Sequence, residues 1–224
     1  MTDYHSHILP QMDDGSKSAE ESLALLHEEV RQGIRTVVMT PHFYASQNSP
    51  QRFLERRQRA FQKLLPVLDR SCPRIILGAE VQYFPGICDC RETAYMTIGQ
   101  TKLLLLEMPF CKWDTQTVRE VLELQQSQGV RVVLAHIDRY YTDQPGSVWE
   151  ELRSAGILMQ LNTSALDGLL ERRRYLKLID SGFVHMLGSD CHNLTSRPPR
   201  WERVTPEISG KVLENMRSAM AVRR

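Results

Sequence analysis

The sequence lacks an excess of either charge: 28 Lys and Arg stand against 27 Asp and Glu in 224 residues. That balance argues against a protein that binds nucleic acid or anionic membrane by bulk charge. It also lacks long apolar runs; one such as Leu103–Leu106 ends at Glu107, far too short to cross a bilayer. The opening segment, MTDYHSHILP, has no apolar core of a secretory signal. Cysteine is sparse, and the five present are odd in number and without framework spacing. Reduced thiols in a cytoplasmic protein are therefore expected. No repeat, low-complexity tract or linker divides the chain, so one domain over residues 1–224 is expected. The composition, 42% hydrophobic and 25% charged, is that of an ordinary globular domain.

Short β-branched or apolar runs alternate with helical patterns. Strands are predicted at Asp3–His7, Thr36–Thr40, Ile75–Val81, Lys102–Glu107, Val130–His136, Leu158–Asn162 and Val184–Gly188. Helices are predicted at Ser18–Gln32, Pro50–Leu68, Thr115–Gln128, Val148–Ser154 and Leu166–Asp180. Ser18 and Glu21 offer a capping box, and Gly33, Gly129, Gly156 and Gly182 sit where helices end. This alternation predicts an α/β fold with a parallel sheet or small barrel.

Five of the seven histidines fall where predicted strands end. His5 and His7 end the first, two residues apart and so on one face. His42 follows the second, Glu80 lies in the third, Glu107 ends the fourth, and His136 the fifth. Asp190 and His192 follow the seventh, and Asp13 or Asp14 overhangs from the loop after the first. C-terminal strand ends of a parallel barrel converge on one mouth. A lone strand-end His or Glu is more often structural than a ligand, but chance does not repeat that placement on so many strands. His27, inside a helix, and His185, inside a strand, have the ordinary structural reading. Imidazole with carboxylate suits Mn, Fe or Zn better than Ca or Mg. His5, His7, Asp14, His42, Glu80, Glu107, His136, Asp190 and His192 are too many for one ion, and fit about two or three. Three divalent ions against four carboxylates leave a positive centre that favours a phosphate dianion.

The motifs Y-H-S-H-I-L-P-x-x-D-D-G at Tyr4–Gly15, T-P-H at Thr40–His42, G-A-E at Gly78–Glu80, A-H-x-x-R at Ala135–Arg139 and G-S-D-x-H at Gly188–His192 resemble the polymerase-and-histidinol-phosphatase (PHP) superfamily. With L-N-T-S at Leu161–Ser164 and R-P-P at Arg197–Pro199, they look most like its bacterial capsule-type branch, manganese-dependent protein-tyrosine phosphatases. The resemblance runs from about Thr2 to Trp201 and implies a distorted seven-stranded (β/α) barrel of the PHP type. By motif position, His5, His7, Glu80 and Asp190 would hold one metal. Glu80, Glu107 and His136 would hold a second, and Asp14, His42 and His192 a third. Mn²⁺ is the implied ion, with Fe, Zn or Mg as the other candidates, and Arg139 and Arg197 match the family's phosphate-side arginines. Gln11-Met12 replaces a common Gly-Ile, which puts the loop carrying Asp14 in question.

The implied reaction is hydrolysis of phosphotyrosine by a metal-activated hydroxide. The implied substrate is a phosphotyrosine-containing protein, the tail of a bacterial tyrosine kinase of capsular or exopolysaccharide synthesis. No nucleic-acid partner and no membrane insertion are expected. A histidinol-phosphatase-type enzyme, a nuclease and a non-catalytic metal-binding regulator are the alternatives; the near-neutral charge weakens the nuclease. Cys191 and Arg197 also satisfy C-x5-R, the pattern of cysteine-dependent tyrosine phosphatases. The intervening H-N-L-T-S holds no glycine, however, and Pro198 follows the arginine. Cys88-x-Cys90 reads as two unrelated thiols, and Glu171–Arg174 as a solvated helix face or a docking patch for an acidic phosphopeptide. Phe43, Tyr44, Tyr140 and Tyr141 are candidates for aromatic walls.

Overall fold

Alternation in the leucine- and valine-rich runs sends successive side chains to opposite faces, and the strands form from them. A computed structural model describes residues 1–221. Its strands are β1 (Thr2–Ser6), β2 (Thr36–Met39), β3 (His42–Phe43), β4 (Arg74–Leu77), β5 (Glu80–Gln82), β6 (Leu103–Glu107), β7 (Arg131–Leu134), β8 (Leu158–Asn162) and β9 (Met186–Gly188). The helices are α1 (Ala19–Arg31), α2 (Pro50–Leu64), α3 (Thr115–Ser127), α4 (Gly146–Ser154), α5 (Leu169–Asp180) and α6 (Pro206–Ala221). Every strand pairing is parallel, in two sheets ordered β1-β2-β4 and β3-β5-β6-β7-β8-β9.

The run expected as the third strand is interrupted at Gly78–Ala79, and the second stops at Met39, with an unexpected short strand, β3, after Thr40–Pro41. Pro41 has no N–H for a ladder, yet its carbonyl accepts from Glu80 N at 3.1 Å, and Gly78 N donates to Met39 O at 2.9 Å. Those bonds carry one sheet into the other. At the opposite edge, Asp190 N donates to His5 O at 2.8 Å and His7 N to Cys191 O at 2.9 Å, bringing β1 against the segment after β9. The sheet is therefore strongly curled, a mixed α/β fold with helices on its outer face.

Val38, Leu103, Leu105, Val133, Ala135, Leu158 and Met186 pack together in one cluster, and their neighbours Val37, Leu104, Leu106, Val132, Leu134, Met159 and Leu187 join the larger cluster with the helices. Period-2 alternation thus fills both faces. The α1 cap forms as expected on one side: Ser18 Oγ accepts from Glu21 N at 3.2 Å. The Glu21 carboxylate reaches back one residue further than a standard capping box, to Lys17 N at 2.7 Å. Gly33, Gly129, Gly156 and Gly182 adopt the left-handed conformation expected after a helix. Only 3₁₀ turns, Ile87–Asp89 and Arg91–Met96, connect β5 to β6. Helix α6 is an addition to the expected elements; Asn215 Nδ2 ties it to Ile179 O and Val184 O at 3.1 and 3.0 Å.

His185 is buried just before β9, its Nδ1 accepting from Met159 N at 3.2 Å. Burial, with Arg131 and Arg153 nearby, pushes it down from 6.5 to about 4. A ring held neutral in the fold but free to protonate when unfolded contributes its full stability above about pH 6.5. That contribution is lost as the pH falls toward 4, and amounts to about 3 kcal/mol. Urea unfolding of metal-free protein at pH 7 and 4.5 will show a smaller acid loss in His185→Gln than in the unaltered chain. Equal losses would remove His185 from the account.

Candidate metal centre

All nine expected ligand residues meet at the C-terminal end of the curled sheet, around the Glu80 carboxylate. Glu80 is fully buried, and Oε2 lies 3.1 Å from His5 Nε2, 3.2 Å from His7 Nε2 and 3.0 Å from His42 Nδ1. Its Oε1 lies 2.7 Å from His136 Nε2, which is also 3.5 Å from Glu107 Oε1. Asp190 Oδ1 is 3.7 Å from His5 Nε2 and 3.3 Å from His7 Nε2. Asp14, on the exposed rim, places Oδ1 3.2 Å from His192 Nε2 and 3.7 Å from His42 Nε2.

Three overlapping groups could each hold an ion, their ligand atoms within 4.8 Å of one another: His5, His7 and Asp190; His7, Asp14, His42 and His192; and His42, Glu80 and Glu107. They differ from the motif-based sets: Glu80 is absent from the His5 group, His42 stands with Glu80 and Glu107 where His136 was expected, and His7 joins the Asp14 group.

The backbone places these groups at a cost. Alternation along β7 would send His136 outward with Val132 and Leu134, but its φ of 30° breaks the pattern. Asp190 is also left-handed, with φ 52°. Each such residue costs about 1–3 kcal/mol. Two glycines permit close approach: a Cβ at Gly188 would lie 2.5 Å from His5 Cβ, and one at Gly15 2.1 Å from His7 O.

The loop at Gln11-Met12 places Asp13 and Asp14 differently. Gln11 takes φ 60°, where a glycine is favoured, and the loop closes through Ser16 N to His7 O at 3.0 Å. Asp14 faces the cluster, whereas Asp13 lies behind it. Asp13 Oδ2 pairs with His7 Nδ1 at 2.8 Å and accepts from His42 N at 2.9 Å. Burial works against its charge, but the His7 imidazolium and these hydrogen bonds hold Asp13 well below the usual carboxylate range.

Outer partners fix several imidazoles. His5 Nδ1 is 3.1 Å from Gln160 Oε1, and His192 Nδ1 is 3.0 Å from Asp190 O. With Asp13 on His7, three histidines thus have Nδ1 occupied as donor and Nε2 turned inward, the usual arrangement behind a metal-binding imidazole. Gln160 Nε2 continues to Asn162 Oδ1, and Asn162 Nδ2 to Asp190 Oδ2, both at 3.0 Å. Asp3 braces the other side, accepting from His5 N at 3.0 Å and Ser189 N at 2.9 Å. Sequence reasoning did not single out Gln160 or Asp3, and offered Asp13 only as an alternative ligand to Asp14. The readable signal was Gln160 and Asn162, two polar residues at alternate positions of an otherwise apolar strand.

Electrostatics follow from this crowding. Burial opposes the charge on Glu80 and Asp190, yet the surrounding imidazoles hold both carboxyls well below the usual range. Burial disfavours imidazolium at His7 and His136, but Asp13 at the first, and Glu107 and Glu80 at the second, raise both; His136 reaches about 9. His192 drops to about 4 through burial and the His7 charge. Cation binding would therefore displace protons from His7 and His136.

Arg139 and Arg197 flank the same carboxylate, donating to Asp190 Oδ2 at 2.5 and 2.8 Å. The C-x5-R alternative does not survive the geometry. Cys191 is fully buried, and burial beside Glu29 and Asp3 pushes its thiol well above the usual range. Asn193 Oδ1 takes the N–H groups of Thr195, Ser196 and Arg197 at 3.0, 2.8 and 3.3 Å, leaving no amide cradle there. Cys191→Ser is expected to keep phosphatase turnover within about threefold of the unaltered chain; complete loss in a folded variant would restore the cysteine as nucleophile.

The model of the family "Capsular polysaccharide synthesis, CpsB/CapC" matches residues 1–223. The chain belongs to the CpsB/CapC family. Among CpsB/CapC relatives, tyrosine-protein phosphatase CpsB of Streptococcus pneumoniae is 30% identical over 224 aligned residues, 94% of this chain and 90% of its own length. Tyrosine-protein phosphatase YwqE of Bacillus subtilis (strain 168) is 28% identical, over 88% of this chain and 79% of its own. Crystal structures of YwqE and CpsB, described as unique metal-dependent tyrosine phosphatases, include a chain that superposes with a TM-score of 0.78 at 24% identity. That match covers 99% of this chain and 92% of that one, and shows a shared CpsB/CapC fold.

The remaining sequence expectations separate by position. Cys88 and Cys90 direct their thiols to different carboxylates, Glu123 and Glu92, at 3.9 and 3.7 Å. Arg173 and Arg174 are solvated, and Arg172 donates to the Leu166 and Arg203 carbonyls at 3.3 and 3.2 Å. His27 is exposed on α1, 3.1 Å from Asp69 Oδ2. Among the described residues, no helix is long and apolar enough to cross a membrane.

Proposed function

We propose that this CpsB/CapC chain is a metal-dependent protein-tyrosine phosphatase. The observation that carries the reading is the centre itself: five imidazoles and four carboxylates converge, with three imidazoles braced from behind. His42 Nδ1 and Glu80 Oε2 lie 3.0 Å apart, both buried and neither in a hydrogen bond, and ligand atoms facing one another in this way fit a cation better than they fit a closed protein core. The residues suit the group.

His5, His7, Glu80 and Asp190 would hold one ion, Glu80, Glu107 and His136 a second, and Asp14, His42 and His192 a third. Mn²⁺ is the ion we favour, with Fe, Zn or Mg as substitutes. Such ions supply Lewis-acid activation of water and neutralise phosphoryl charge. The chain's own part is orientation and binding. Asp13, Gln160 and the Asp190 carbonyl keep Nε2 of His7, His5 and His192 pointed inward. Arg139 and Arg197, freed from part of their pairing with Asp190, clamp the phosphoryl oxygens. Phenol leaves with a pKa of about 10, so a tyrosine ester needs less protonation from the protein than an alkyl ester.

The substrate we infer is a phosphotyrosine-containing protein, the tail of a bacterial tyrosine kinase of capsular or exopolysaccharide synthesis, met in the cytoplasm. One domain over 1–224 carries the activity. We read the nine short strands of the described residues as seven staves of a distorted barrel, with β2 and β3, and β4 and β5, taken as broken halves of two staves. Hydrolysis of a phosphotyrosine peptide, histidinol phosphate and single-stranded DNA, each with Mn²⁺ and with EDTA, tests this reading. Fast, chelator-sensitive turnover of the peptide alone is expected; efficient turnover of histidinol phosphate alone would overturn it.

A further inference from the structure

Phe110 sits on the loop that follows β6, three residues beyond Glu107, and is 54% exposed, unusual for a phenylalanine beside a buried polar centre. Its ring lies edge-on to His136 at 5.5 Å between centroids, and the Arg139 guanidinium is 5.4 Å from its centroid. It therefore joins a candidate ligand to a candidate phosphate clamp, with much of its surface still open to solvent.

The other aromatic candidates are removed by packing. Phe43 is buried against Phe53, and Tyr140 is fully buried with its hydroxyl on Ala135 O. Tyr141 stacks on Trp149. Tyr44 remains, stacked on His42 at 5.0 Å. His42 and His136 approach different oxygens of Glu80, so Tyr44 and Phe110 stand outside two separate histidines of the centre. Only Phe110 also touches a phosphate-side arginine.

We infer that Phe110 is a specificity residue that takes the substrate's phenyl ring while Arg139, beside it, takes the phosphoryl group. This rests on the phosphatase reading above. The arrangement selects aryl over alkyl phosphates because ring contact is worth something only when the ester carries a ring.

The test uses the Mn²⁺-loaded protein and three probes. Phosphotyrosine-peptide turnover by the unaltered chain first checks the underlying reading, independently of Phe110. Inhibition by phenylphosphonate and by methylphosphonate then separates ring from phosphoryl binding. In Phe110→Ala and Phe110→Leu, phenylphosphonate inhibition is expected to weaken about three- to tenfold, with methylphosphonate inhibition unchanged and the peptide's KM raised more than its kcat is lowered. Phe110→Trp should keep the preference for the aryl ligand. The inference is overturned if Phe110→Ala keeps the full aryl preference. It is also overturned if both phosphonates weaken equally, since Phe110 would then only brace Arg139. A failure of the unaltered chain to hydrolyse the peptide would overturn the phosphatase reading and this one with it.

Discussion

Glu80→Gln is expected to lower phosphotyrosine hydrolysis by about 10³-fold or more and to reduce the metal bound per chain. The substitution keeps size and burial but removes the charge that four imidazoles share, those of His5, His7, His42 and His136, all within 3.2 Å. Glu80 is the residue common to the first two proposed ion positions, so both lose a ligand at once. The loss should appear in kcat and in metal content together, with circular dichroism unchanged, because the apolar clusters on either face of the sheet do not depend on it. A variant turning over within tenfold of the unaltered chain, at equal metal content, would remove Glu80 from the centre.

Arg197→Ala is expected to lower kcat/KM for the same peptide by about 10²-fold, with bound metal unaltered. Arg197 donates to Asp190 at 2.8 Å and is 2.8 Å from His192 Nε2, but in the proposed reaction it clamps the phosphoryl group and holds no metal. Arg197→Lys should recover only part of the loss, because a point charge does not replace a planar fork. Arg139 shares Asp190 Oδ2 with it, so the double variant should fall short of the product of the two single losses. Kinetics and metal analysis on the same preparations check this. A fall in metal content equal to the fall in rate would make Arg197 a support of the ligand set instead.

The candidate centre was legible because His5-x-His7 and Glu107 obey strand alternation at the ends of recognisable strands, and Asp190-x-His192 follows directly on another. His136 lies at a legible strand end although its side chain departs from that alternation, through a backbone angle no residue pattern announces. Asp13 and Asp14 could not be separated by spacing. What separates them is that Asp13 turns back onto His7 Nδ1 and accepts from His42 N, the second a contact between distant parts of the chain. The strand breaks at Thr40–Pro41 and Gly78–Ala79 were illegible for a similar reason, since they answer to the curl of the whole sheet. Helix α6 did carry signals: Thr205 Oγ1 accepts from Ile208 N at 3.3 Å and Pro206 opens the helix. Gly210 in its interior weakens the pattern by about 1 kcal/mol of propensity. Phe110 lies in a loop, where no periodicity marks it.

The central claim is that these nine side chains hold the ions on which phosphotyrosine hydrolysis depends. Its most direct test is to strip the protein of metal, add Mn²⁺ in steps, and measure bound ion per chain and phosphotyrosine-peptide turnover on the same samples. Turnover should be absent in the stripped protein and rise as about two or three ions bind. Undiminished turnover in protein free of metal would contradict the account.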